Sequence, residues 1–148
     1  NNLSLKMIRN LTKKTIIAKK PIIATKFFQR GLGMIGKKFA DFDAMIFYNC
    51  ASIHTMFMTM KIDVIFVDRE NRVCEIRKEL DPWRPFVSSR EAVTVIELPS
   101  RAIENSFTEK GDFIDLNAEL KEEKEEKEEK AIIPFPDTAI SISAEKKK

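Results

Sequence analysis

A chain of 148 residues favours one domain, and its apolar content up to about residue 116 suffices for a single modest core. Charged residues reach 33%, yet the net charge is only +3 and both signs crowd the C-terminus, so nothing resembles a nucleic-acid footprint. The longest apolar runs, such as Val64 to Val67, are far too short to span a membrane.

In chain order, Leu5 to Leu11 and Thr15 to Ala24 read as two short strands, rich in β-branched residues and separated by a turn at Lys13-Lys14. Thr25 is a plausible N-cap for a short helix over Lys26 to Leu32, which Gly31, Gly33 and Gly36 would end. Gly36-Lys37 lacks the Ser/Thr that completes a phosphate-binding loop. Asp43 to Tyr48, Ile53 to Thr59 and Asp63 to Asp68 read as strands, and Arg69 to Arg72 turns the last of them into a hairpin with Val73 to Arg77. Pro82 and Pro85 bracket a rigid loop that carries Trp83 and Arg84. Val93 to Leu98 is the next strand, Ala102 to Glu109 a short helix or irregular turn, and Phe113 to Leu116 the last strand after a turn at Lys110-Gly111-Asp112.

These short strands, with turn signals every 8–12 residues or so, predict a mainly β fold: a small sandwich or jelly-roll-like barrel with one or two short helices. No alternation of strand and helix suggests a doubly wound nucleotide-binding sheet. The domain is expected to occupy residues 1–116. Residues 117–148 form a charged low-complexity tail, helical or disordered. Its KEEKEEKEEK run, Lys121 to Lys130, has favourably spaced ion pairs but no apolar face to bury. Beyond it, Ile132 to Pro136 could dock on the domain or on a partner.

Six blocks in order resemble the bacterial and archaeal family known as domain of unknown function 192. They are Arg30-Gly31-Leu32 with Met34; Ser52 to Met58; Ile62-Asp63-Val64-Ile65-Phe66; Pro82-Trp83-Arg84; Val95-Ile96-Glu97-Leu98-Pro99; and Gly111-Asp112. Together they span about residues 12 to 116. The resemblance implies a compact, β-rich, jelly-roll-like domain and no particular reaction. Two departures stand out. The family usually has a glycine soon after the Glu-Leu-Pro block, where this chain has Arg101, and here an extra glycine, Gly33, precedes Met34.

Candidate chemistry centres on six residues. His54 is the only histidine, which rules out a His-His metal site. On one continuous strand it would share a face with Cys50, Met56, Met58 and Met60, a set of soft ligands suited to Cu(I); the alternative is methionines filling an irregular core, with a turn breaking the parity. Asp63 interrupts an apolar strand and needs a cation or backbone donors if buried, with Arg30 and Arg84 as candidate partners. Trp83 and Arg84 together suit a sugar-like or carboxylate-bearing ligand. Glu97 is the remaining acid on a strand, and with Asp63 it could form a two-carboxylate hydrolytic site.

The function expected is therefore non-catalytic binding of a small molecule or protein, near Arg30, His54, Asp63, Trp83, Arg84 and Glu97. The alternatives are a hydrolase-like enzyme using Asp63 and Glu97, and a copper-binding protein. No catalytic residue, resident metal, cofactor or nucleic-acid partner is assigned, and the oligomeric state stays open, a monomer being one option. Cys50 and Cys74 could pair or stay free. Free thiols, and the lack of a signal-like apolar stretch over Asn1 to Leu5, favour the cytoplasm slightly; a secreted mature form stays open.

Overall fold

The computed structural model describes residues 7–24, 39 and 41–116. The expected helix over Lys26 to Leu32, Arg30 with its glycines, and the tail from residue 117 lie outside the described residues. What is described is mainly β, as expected, with three sheets and one short helix.

The central sheet has five strands. They are β3 (Pro21–Ile23), β4 (Ala44–Tyr48), β6 (Ile62–Val67), β7 (Val73–Leu80) and β9 (Thr94–Pro99), in the order β3-β4-β9-β6-β7. Only β3 and β4 run parallel; the other neighbours are antiparallel. β6 and β9 are central and covered on both faces, which explains their continuous apolar runs. The β6–β7 hairpin turns where Asp68 Oδ1 accepts the backbone N–H groups of Glu70 and Arg72, with Asn71 in the left-handed region.

One face of this sheet carries Ile46, Ile65, Val67, Ile96 and Leu98. A three-stranded sheet covers it, formed by β10 (Ile114–Asp115), β1 (Ile8–Asn10) and β2 (Thr15–Ala18), in the order β10-β1-β2. The helix α1 (Ala102–Asn105) adds Ile103 to the same core. The other face carries Met45, Phe47, Val64, Phe66 and Val95. It packs against Met58 and the two-stranded ribbon of β5 (Ser52–Ile53) and β8 (Val87–Ser88). Each large apolar side chain so buried contributes roughly 1.5–3 kcal/mol.

Three elements differ from the sequence reading. Thr15 to Ala24 is two strands in different sheets, because Asp43 accepts the N–H groups of Lys19 and Lys20 and fixes a corner before Pro21. Ile53 to Thr59 is not a strand beyond Ile53, because the chain turns so that Met58 N–H donates to Thr55 O. The pair Val87–Ser88 is a strand that the sequence did not announce.

The helix α1 begins in an unusual way. Its N-cap, Arg101, has a φ of 74° and offers no capping side chain. This is the segment in which the family resemblance led us to expect glycine. A left-handed backbone costs a residue with a Cβ about 1–2 kcal/mol, and glycine almost nothing. Arg101→Gly is therefore expected to stabilise the domain by about 1 kcal/mol, since the exposed Arg101–Glu104 pair that it removes is worth little. Urea denaturation of the two proteins checks this.

Candidate functional site

Asp63 lies on β6 and is wholly buried. It points toward the face covered by α1, with Ile65 and Val67 of the same parity. No cation meets it. Its Oδ1 accepts the Glu79 N–H at 2.8 Å and its Oδ2 accepts the Ile103 N–H at 2.9 Å. Both donors adjoin kinks, for Glu79 has a φ of 48° and Arg101 one of 74°. The carboxylate thus pins the end of β7 and the start of α1 to the central sheet. Arg84, one of the cations expected to pair with it, is instead exposed beside Asp81 at 3.6 Å.

Glu97, on β9, points the other way. Val95 and Glu97 share the face of the second core, whereas Ile96 and Leu98 belong to the first. Its register partners are Met45 and Val64. It is 2% exposed, and Oε2 has no hydrogen-bond partner among the described residues. Burial pushes its pKa up to about 8, so the group is a neutral acid at pH 7. Asp63 and Glu97 therefore stand on opposite faces of one sheet. A two-carboxylate hydrolytic site needs both acids to flank one bond, and this arrangement denies it.

The soft-metal stripe is not formed either. The backbone turns at Asn49, with a φ of 53°, and β5 ends at Ile53. Cys50 Sγ contacts Ser52 O at 3.1 Å, Met58 is buried, and Met56 and Met60 are half-buried on a turning segment. The alternation that would align these groups with His54 is lost. Among the described residues, no three His, Cys, Asp or Glu side chains converge as metal ligands. Cys50 and Cys74 are free thiols.

What the fold does bring together is His54, Trp83 and Arg84, through a residue that the sequence reading passed over. Thr55 is buried and joins the 54–58 turn to the 81–86 loop. Its N–H donates to Arg84 O and its carbonyl accepts from Trp83 N–H, both at 2.8 Å. Its hydroxyl donates to Asp81 O and accepts from Arg84 N–H, again at 2.8 Å. His54 Nδ1 accepts the Met56 N–H at 3.2 Å, which leaves the proton of the neutral ring on Nε2.

This scaffold displays aromatic rings to solvent. Phe57 is 61% exposed and Trp83 56%, and they meet edge to face with centroids 4.9 Å apart. Phe86, on the same loop as Trp83, is 70% exposed. Phe57 and Trp83 both have left-handed backbones, with φ of 64° and 67°. Such conformations cost bulky residues about 1–3 kcal/mol each and persist only where the surroundings impose them. Here the Thr55 network imposes them. Lys61 and Arg84 flank Asp81 at the rim, each at 3.6 Å. The signal available in the sequence is a threonine just ahead of Met56-Phe57-Met58, with a loop stiffened by two prolines further on.

Residues 10–116 match the family described as Uncharacterized ACR, COG1430, domain of unknown function 192. The chain belongs to this family. Among its members, a UPF0127 protein of Thermococcus sibiricus is 33% identical over 91% of this chain and 85% of its own length. One from Pyrococcus furiosus is 33% identical over 73% of this chain and 96% of its own. In fold, the family domain is similar to a protein of unknown function from Novosphingobium aromaticivorans. That likeness has a TM-score of 0.62 at 16% identity and covers 74% of this chain and 81% of the other. The matched segment takes in Asp63, Glu97 and the Thr55 scaffold.

The raised pKa of Glu97 has a measurable consequence. Its carboxyl titrates near 4.5 when unfolded and near 8 when folded, so between those values the folded state holds the extra proton. Stability is then greatest below about pH 4.5, falls as pH rises, and levels off above about pH 8, with a total loss of a few kcal/mol from this group. Glu97→Gln is expected to remove that contribution. Denaturation midpoints of both proteins across pH 5 to about 9 test it.

Proposed function

We propose that this domain is a non-catalytic binding module whose contact surface is the aromatic pair Phe57 and Trp83, with Phe86, Arg84 and His54 around it. The observation that carries this reading is the exposed, edge-to-face pair held in strained backbone by a buried threonine. A fold that spends stability to hold apolar rings in water is organised for something outside itself.

The chemistry of the surface favours a small ligand with a flat or ring-shaped apolar face and an oxygen-rich edge. The faces of Trp83 and Phe57 offer stacking, and the Arg84 guanidinium offers paired donors to a carboxylate or to vicinal hydroxyls. Asp81 supplies an acceptor at the rim. Sugars and carboxylate-bearing sugar acids meet those demands best. Asp63 has no part in this surface, because both its oxygens are engaged on backbone donors in the core. Glu97 lies in the buried layer of the sheet.

Trp83 is the only tryptophan, so its emission reports on this site alone. Titration of the full chain with neutral hexoses, hexuronic acids and small dicarboxylic acids is expected to give a saturable change in emission with at least one class. Phe57→Ala should weaken that binding about tenfold or more while leaving the melting temperature nearly unchanged. An unresponsive Trp83 across the panel, or undiminished binding by Phe57→Ala, counts against the proposal.

A further inference from the structure

A concave surface lies on the β1–β2 hairpin, in the layer opposite the one that holds Thr55. Ile8 and Ile17 of that hairpin pack in the first core, whereas Met58 and Val87 pack in the second. An open groove of about 340 Å³ is lined there by Arg9, Asn10, Leu11, Lys14, Thr15 and Ile16. That volume falls within the range of small-molecule sites.

The hairpin is firmly built. The side chain of Asn10 is buried and donates to Thr108 Oγ1 at 3.1 Å and Asp112 Oδ2 at 2.8 Å. Its Oδ1 accepts the Lys13 N–H at 2.9 Å, and Leu11 N–H donates to Phe113 O at 2.8 Å. Lys14, with a φ of 57°, closes the turn. The groove is thus in place before any ligand arrives.

The polar groups of the hairpin divide into those already engaged and those that are not. Lys13 Nζ sits between Glu109 and Asp112 at 2.9 and 3.0 Å. The Thr15 hydroxyl donates to Ser106 O at 2.7 Å. Arg9 and Lys14, by contrast, make no ion pair among the described residues, and no carboxylate lines the groove. Asp115 on β10 and Ile16 on β2 are the cross-strand partners of Arg9 and share its face of the sheet, so Asp115 flanks Arg9 from the strand that does not line the groove. Leu11 and Ile16 are exposed and give the groove its apolar wall.

We propose that this groove binds a small anion bearing an apolar arm, with Arg9 and Lys14 on the anionic head and Leu11 and Ile16 along the arm. The ligand class is an alkyl or aryl carboxylate, sulfate or phosphate. Two exposed cations hold a bare anion only weakly in water, and apolar contact supplies the remaining affinity. The inference does not depend on the aromatic surface, and the two sites have separate reporters.

The test uses hexyl phosphate as the probe in an amide NMR titration of the full chain. Saturable shifts centred on residues 9–16 are expected, with the Trp83 indole signal unmoved. Inorganic phosphate alone and hexanol alone should each bind about tenfold or more weakly than the probe. The double variant Arg9→Gln/Lys14→Gln should lose affinity to a similar extent, while Lys20→Gln, which changes a cation elsewhere, should not. Shifts that fail to saturate, shifts unchanged in the double variant, or a response only to phosphatidylglycerol vesicles would overturn the proposal.

Discussion

The carboxylate of Asp63 is the contact on which the architecture turns. A buried carboxylate is costly unless strong donors replace its water, and here two backbone N–H groups do so at 2.8 and 2.9 Å. One donor belongs to β7 and the other to the first turn of α1. The second matters most, because N–H groups in a first helical turn have no partner within the helix. Arg101 brings no capping side chain, so an acid forty positions earlier in the chain serves as the cap. α1 in turn carries Ile103 into the first core.

Glu97 shows what the same sheet does with a carboxyl that it leaves unsatisfied. One strand away and on the other face, its Oε2 has no hydrogen-bond partner among the described residues, and burial keeps the group protonated at pH 7. Both acids therefore belong to the packed layers. The groups displayed to solvent are carried by turns that a separate device, Thr55, holds in place. This division between a core that contains the acids and loops that carry the rings is the basis of the functional reading.

Strands dominated by β-branched residues were legible: Ile62–Val67 and Thr94–Pro99 fall within a residue of their expected bounds. The pattern failed where hydrogen bonds to side chains override it. Asp43 breaks Thr15 to Ala24 in two, and the turn at Thr55 folds Met58 inward where alternation predicted a strand. Of the candidate site, His54, Trp83 and Arg84 do gather on adjacent turns. Asp63 is legible as an acid within an apolar strand, but its two backbone donors are not, because an N–H group carries no residue identity. That Asp63 and Glu97 oppose each other across the sheet depends on the β6–β9 register, which no single strand encodes. Arg101 was visible only as an oddity against the family pattern; its positive φ supplies the reason.

The central claim is that Asp63 is the clamp between sheet and helix, and the amide of Ile103 reads it directly. It donates to Asp63 Oδ2, so its hydrogen exchange measures whether that bond persists in solution. Exchange as slow as that of the central amides of β6 and β9 is the result expected. Exchange as fast as at an ordinary uncapped helix end would show that the clamp does not hold and contradict the account.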